Sequence, residues 1–357
     1  MSKAVHVSRT DISSAEVVGI EDLPLPDGAV RLEVESFSVT ANNITYAVAG
    51  EMMGYWNFFP AAEGKGVVPM WGHAKVIESN HPDIAVGERV YGYLPMAEQL
   101  VVMPGKVTPG GFVDTIAHRQ PMAAIYNQYS RLAADPEHDP AHENERLIFG
   151  PLFKTGYLIE TMFRGDDWFG AEATVLTSAS SKTAMALASV AKEKSPQVKR
   201  VGLTSAGNVA FVRASGLYDE VMAYEAVGDL AQVPSVSVDF AGNSRLLRDI
   251  HETLGEHLNY SCLVGATHVG ERTGDAKDMP GPDPILFFAP TYAVAAIKAM
   301  GAEAFGQDIA ASWRSFLGAV ADTVAIETRS GIEAARETYV AMVGGDIDPA
   351  KGIVVKP

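Results

Sequence analysis

The residues best suited to chemistry in this chain lie near its middle, in Thr174-Val-Leu-Thr-Ser-Ala-Ser-Ser-Lys-Thr-Ala184. A short apolar run leads into small and polar residues, and a helix-forming segment follows. Ala184, Leu187, Ala188 and Ala191 then recur at i, i+3, i+4 and i+7, one face of a helix. Ser180, Ser181 and Thr183 are cap or first-turn residues, with Lys182 between them. A buried strand, a tight turn and a helix start direct unpaired backbone N–H groups and a positive dipole end toward an anion. The hydroxyls of Ser178, Ser180, Ser181 and Thr183 add donors for phosphate oxygens. That combination describes the pyrophosphate site of a dinucleotide, made here without the usual glycines. Lys182 has two readings, a charge-assisted phosphate contact or a solvated helix lysine.

A second group bears on which dinucleotide is bound. The strand Arg200-Val-Gly-Leu-Thr-Ser205 ends with no carboxylate. An acid at that point would hold the ribose hydroxyls of NAD and repel a 2′-phosphate. Ser205 and Asn208 are either donors to phosphate or ordinary turn residues, and the expected cofactor is NADPH. Nearer the start, Tyr55-Trp-Asn-Phe-Phe-Pro60 gathers Tyr55, Trp56, Phe58 and Phe59, either as a plug in a small core or as the wall of an apolar pocket. His138 and His142 stand four apart among carboxylates, but Pro136 and Pro140 keep a helix from aligning them. A solvated loop is the expectation there.

These residues need a scaffold, and 357 residues suffice for two cores. A net charge of −16 argues against nucleic acid or an anionic membrane as partner. Apolar runs such as 285–290 are too short to span a bilayer, and the N-terminus has no apolar signal region, so a cytoplasmic protein is expected. The single cysteine, Cys262, excludes an internal disulfide and a cysteine-rich zinc site. Short strands and frequent turns up to about residue 120 predict a mostly β, barrel-like unit. Gln120–Ala134 reads as a helix. From residue 173, strands and helices alternate, which predicts a parallel sheet covered by helices. A long helical stretch to about 320, an amphipathic helix at Gly331–Met342 and a strand at Gly352–Lys356 complete the chain.

In this order the chain resembles the medium-chain dehydrogenase/reductase superfamily, in its zinc-free, quinone-oxidoreductase-like branch. Val30–Gly50 is similar to a family strand followed by an asparagine-proline-x-aspartate segment, here Ala41-Asn42-Asn43-Ile44. Gly66–Val76 and Val86-Gly-Glu-Arg-Val-Tyr-Gly92 are similar to its central β segments. Leu152-Phe-Lys-Thr-Gly-Tyr157 sits where the family has a Gly-Leu-Thr-Ala-Tyr helix start. Val175–Ala184 occupies the place of its glycine-rich loop, and Gly331-Ile-Glu-Ala-Ala-Arg with Gly352-Ile-Val-Val resembles its ending.

The resemblance implies an α/β protein: a Rossmann doubly wound parallel sheet at 131–314, and a GroES-like, mostly β barrel-like domain from 1–130 and 315–357. It places Thr155 near the nicotinamide and Tyr224 on the 2′-phosphate. It also puts Phe240-Ala241-Gly242 under the riboses and Val264-Gly265 against the nicotinamide amide. Tyr46 and Tyr55 fall in the segment lining the substrate side, as proton-donor candidates or as structural tyrosines, with Asn43 near the polar residue of the asparagine segment. Phe288 joins Trp56, Phe58 and Phe59 as a substrate-pocket residue through Phe287-Phe-Ala-Pro290, and His73 and His268 are alternative donors. The implied activity is metal-independent, NADPH-dependent reduction of a small apolar or aromatic carbonyl, enone or quinone. A non-catalytic NADPH-binding sensor or partner-binding protein is the alternative, and homodimerisation stays open. The family's cysteine and histidine zinc ligands are absent from the sequence. Elemental analysis of the purified protein should therefore find no stoichiometric zinc; one metal per chain would overturn the branch assignment.

Overall fold

The computed structural model describes residues 1–120, 122–264, 279–320, 323–345, 348 and 350–357. Two units emerge, Met1–Ile148 with Ala325–Pro357, and Phe149–Val324. The sequence reading placed the breaks near 130 and 314. The first moves because α2 (Glu143–Gly165) starts tied to the β-rich unit: Arg89 grips Glu143, and Arg146 pairs with Asp135 at 2.6 Å. The second moves because the helix Ala302–Val320 runs on through 315, packing Trp313 and Phe316 on Phe153.

In the first unit, β1 (Ser2–Ser8) pairs antiparallel with β2 (Ala15–Ile20) and with β4 (Lys65–Gly66). The larger sheet centres on β3 (Val30–Ser38), β5 (Pro69–Ser79) and β6 (Arg89–Pro95). It extends through β10 (Gln128–Arg131), β9 (Gly111–Asp114) and β8 (Pro104–Thr108), while β7 (Gln99–Val102) also pairs with β3. At the other edge, β18 (Lys351–Lys356) lies between β3 and β17 (Ala325–Ser330), so the end of the chain completes this unit. Between β3 and β4 come α1 (Ala41–Val48) and a single turn, Tyr55–Asn57.

The helix expected at Gln120–Ala134 is not formed. Short 3-10 turns at Ala124–Asn127 and Leu132–Ala134 flank the strand β10. Tertiary contact overrides local propensity here: Tyr129 stacks on Phe112 at 5.2 Å and donates to the Tyr93 carbonyl at 2.6 Å, which only a paired strand allows. Nor is the loop at 135–142 simply solvated, because Asp135 is in the buried pair with Arg146 and His138 Nε2 lies 2.8 Å from Glu143.

In the second unit, β11 (Ala173–Leu176), β12 (Lys199–Thr204), β13 (Glu220–Ala223), β14 (Ser235–Asp239), β15 (Leu258–Val264) and β16 (Ile285–Phe287) form a parallel sheet. Its spatial order is β13-β12-β11-β14-β15-β16. Order reverses between β11 and β14, which is the topological switch point of a Rossmann sheet. α5 (Ser244–Leu254) lays Leu246, Ile250 and Leu254 on Val175, Val201 and Leu203. α3 (Lys182–Lys194) follows β11, and α4 (Val209–Ala214) follows β12.

One apolar face was expected on α3, yet every residue from Ala184 to Ala191 is buried. A helix enclosed all round must have neighbours on more than one side. One is α2, whose Gly156 meets α3 so closely that a Cβ there would stand 2.6 Å from the Leu187 nitrogen. Backbone cannot yield as a flexible side chain does, so Gly156→Ala should destabilise by about 1–3 kcal/mol in chemical denaturation.

Candidate active site

At the switch point the carboxyl ends of β11 and β14 are bound together. Thr177, fully buried, donates its hydroxyl to Asp239 Oδ1 at 2.7 Å. The same hydroxyl oxygen accepts from the amides of Phe240 and Ala241, and Asp239 Oδ1 accepts from those of Ala241 and Gly242. The backbone of 240–242 is thereby held in one conformation. In the facing turn, Ser178 takes φ +48, a left-handed conformation usually left to glycine. The Ser181 amide then closes onto the Ser178 carbonyl at 2.7 Å, and the Ser181 hydroxyl caps α3 by accepting from Ala184.

The other serines have protein partners. Ser180 Oγ receives Asn208 Nδ2 at 3.3 Å. Tyr224, half-buried, has its hydroxyl hydrogen-bonded by Ser178; burial raises its pKa above the usual phenol value and the Ser178 bonds oppose that. Ser205 is exposed beyond β12, and Lys182 and Thr183, both half-buried, open α3. Thr155 is half-buried, its hydroxyl donated to the Pro151 carbonyl at 3.2 Å. Val264 ends β15 opposite Phe287, whereas Gly265 lies outside the described residues. Phe288 is half-buried and precedes the helix Ala289–Met300. The structure thus gathers Ser178, Ser180, Ser181, Asn208 and Tyr224 about one turn and sets Phe240–Gly242 on the strand end tied to it.

The β-rich unit gathers a different set. Tyr46, Tyr55, Tyr93 and Tyr126 cluster, with ring centroids 4.7 Å apart for Tyr46–Tyr55 and 4.8 Å for Tyr93–Tyr126. The Tyr55 and Tyr126 hydroxyls are 3.2 Å apart. Tyr46 accepts from Asn42 Nδ2 and from Trp71 Nε1. Burial pushes the Tyr46 phenol up to about 12, and raises Tyr55 and Tyr126 in the same direction. All three are therefore neutral donors at physiological pH.

Several sequence candidates have other occupations. Asn43 is buried at the start of α1, where Oδ1 accepts from the Thr40 amide at 2.7 Å and Nδ2 donates to the Pro69 carbonyl at 2.8 Å. Trp56, Phe58 and Phe59 are 2%, 0% and 5% exposed, with Phe58 and Phe59 against the Arg119 guanidinium. The rings with surface to offer are Trp71 and Tyr126, together with the amide of Asn42. Sequence reasoning passed over these three. Asn42 adjoins the residue chosen, and Tyr126 sat inside the helix wrongly expected at 120–134. Trp71 had no nearby motif to mark it.

A family model described as "Protein of unknown function (DUF2855)" matches residues 37–348. The chain belongs to this family. No curated protein matches it. Among solved structures, CurA from Vibrio vulnificus in complex with NADPH is similar at 15% identity and TM-score 0.57, over 99% of this chain and 98% of that one. The quinone oxidoreductase from Coxiella burnetii is similar at 13% identity and TM-score 0.53, over 100% and 99%. The Etr1p/NADP/crotonyl-CoA complex is similar at 12% identity and TM-score 0.59, again over 100% and 99%. Likeness at such identities establishes a shared fold, a Rossmann parallel sheet together with a β-rich unit.

In this DUF2855 member, the alternative donor His268 lies outside the described residues, while His73 is placed on β5 with 0% exposure. Neither of its ring nitrogens has a hydrogen-bond partner among the described residues. Burial lowers its pKa to about 3; Glu143 opposes the shift, and Arg146, Arg89 and His138 add to it. A neutral imidazole has no cationic proton to give, which removes His73 as an acid near neutrality. Among the described residues, no group of three or more His, Cys, Asp or Glu is placed to hold a metal ion.

Between pH 6.5 and 4.5 the unfolded chain protonates this histidine and the folded one does not. Stability should therefore fall as pH drops through that window, by up to about 1.4 kcal/mol per unit from this group. His73→Phe should flatten the slope by about one proton in denaturation at several pH values. The window stays above the range in which Glu143, held down to about 2 chiefly by Arg89, gives up its charge.

Proposed function

We propose that this chain is a metal-independent reductase that uses NADPH to deliver hydride to a small apolar carbonyl, enone or quinone. The observation that carries the reading is the β11–α3 turn at the switch point, closed by Ser178 in a left-handed conformation and capped by Ser181. It would offer a pyrophosphate the first-turn amides of α3 that Ser181 does not cap, without needing glycine. Ser178, Ser180, Ser181, Lys182 and Thr183 would hold that group, with Phe240–Gly242 and Val264 toward the riboses and nicotinamide. Beyond β12, Ser205 and Asn208 would take the place of the acid that selects NAD, and Tyr224, hydrogen-bonded by Ser178, would contact a 2′-phosphate. Bound there, the cofactor supplies the hydride. Tyr55 would donate a hydrogen bond to the oxygen on which charge develops. The structural neighbours support this reading: one is a CurA complex with NADPH, another a quinone oxidoreductase.

A nucleotide-binding protein without turnover is the second reading. The turn's lack of the usual glycines favours it, because a dinucleotide fold alone does not establish chemistry. Calorimetric titration should show tighter binding of NADPH than NADH, and equal affinities would count against the cofactor assignment. Ser205→Asp should weaken NADPH selectively by placing like charge beside the 2′-phosphate. A screen of NADPH oxidation against enones, quinones and aldehydes separates the two readings, since binding without oxidation by any acceptor favours the second.

A further inference from the structure

Tyr126 was no candidate in the sequence, yet its hydroxyl is the partner of Tyr55 at 3.2 Å, with the two rings edge to face at 5.8 Å. One residue orders both. The Arg119 guanidinium, 1% exposed, donates Nη2 to the Tyr126 carbonyl at 2.8 Å and fixes the turn carrying that phenol. Its face lies against Phe58 and Phe59, at 5.3 and 5.1 Å, on the segment carrying Tyr55. Asp114, Asn127 and Tyr129 take its remaining contacts, at 3.0, 3.1 and 2.9 Å.

Building on the reductase reading, we propose that Tyr55 and Tyr126 act as one hydrogen-bonded pair, in which one hydroxyl donates to the other and that other donates to the carbonyl oxygen of the substrate, with Arg119 as the residue that positions both phenols. Two phenols in contact cannot each donate to the other. One hydroxyl donates within the pair, and the other points its hydrogen at an incoming acceptor, strengthened by the bond it receives. Half-burial of Tyr126 leaves it accessible, while Tyr55 is 6% exposed. Because the nearby cation is held by Asp114, the pair presents neutral donors, which suits an uncharged carbonyl compound whose oxygen gains negative charge as hydride arrives. Phenols raised by burial stay protonated in that role.

Optical titration with 4-nitrophenol tests the pair without turnover, since its absorbance reports ionisation and hydrogen bonding of the bound oxygen. The full chain, with and without NADP+, should bind the phenolate. Tyr126→Phe and Tyr55→Phe should each weaken it about 10-fold or more, the size of a lost bond to a charged acceptor. The double variant should lose less than the product of the two, as members of one unit do. Arg119→Lys retains a charge opposite Asp114 but loses the planar fork, so it should weaken the probe as Tyr126→Phe does and leave NADPH affinity at the parental value.

A Tyr126→Phe protein that binds like the parent, or a parent that does not bind the probe, overturns the proposal. A folded Arg119→Lys protein with parental probe affinity overturns the positioning role, and if that variant does not fold, Tyr126→Phe decides. A parent that binds the probe but not NADPH sinks the reductase reading and leaves the phenol pair standing as an oxyanion receptor.

Discussion

A guanidinium closed off from water must have its charge and its donors met by protein, and in the β-rich unit that requirement falls on Arg119. Asp114 supplies the charge, and itself accepts from the amides of Met103 and Ile116. Asn127, Tyr129 and the Tyr126 carbonyl take further N–H groups, and three aromatic faces enclose the plane. Strand β10, the turn before it and the aromatic segment at 55–59 are thus held to one cation. A site built from Tyr55 and Tyr126 inherits its precision from that buried charge rather than from the loops on which the tyrosines sit.

The nucleotide-binding half answers a different constraint. A turn between a buried strand and a helix needs one residue in the left-handed region, and most families meet this with glycine. Here a serine does so, and the strain of a Cβ at φ +48 is offset by the Ser181–Ser178 bond and the cap on α3. Side-chain hydroxyls also take over work elsewhere left to bare backbone. Thr177 joins β11 to β14 by three hydrogen bonds from one oxygen, so the loop at 240–242 is shaped before any ligand arrives.

What could be read from the residues follows from how local each signal was. The parallel sheet was legible because each strand is a short apolar run ending in small or polar residues, and those ends also mark the switch point. The helix α3 was legible as a helix, but not its enclosure, since that depends on α2 and on Gly156, distant in sequence. β10 was not legible because Gln128–Arg131 has no strand pattern of its own; Tyr129 makes it a strand by reaching Phe112 and the Tyr93 carbonyl. Nothing in the sequence Asn42-Asn43 states which amide turns inward. Helix phase decides that, giving Asn43 to the helix start and Asn42 to Tyr46. The phenol pair was invisible because its members are 71 residues apart.

The last strand bears on how such a chain is made. β18 inserts between β17 and β3, placing Val354 beside Ser38, whose hydroxyl donates to the Ile353 carbonyl across 315 positions. Until that segment leaves the ribosome, the Phe37–Ser38 end of β3, beyond the part that β7 covers, has no partner on that side and its hydrogen-bonding groups stay open to any extended chain nearby. The parallel sheet, assembled from contiguous βα units, has no such wait. During synthesis the inserted unit can therefore fold while the flanking one still lacks its C-terminal strand.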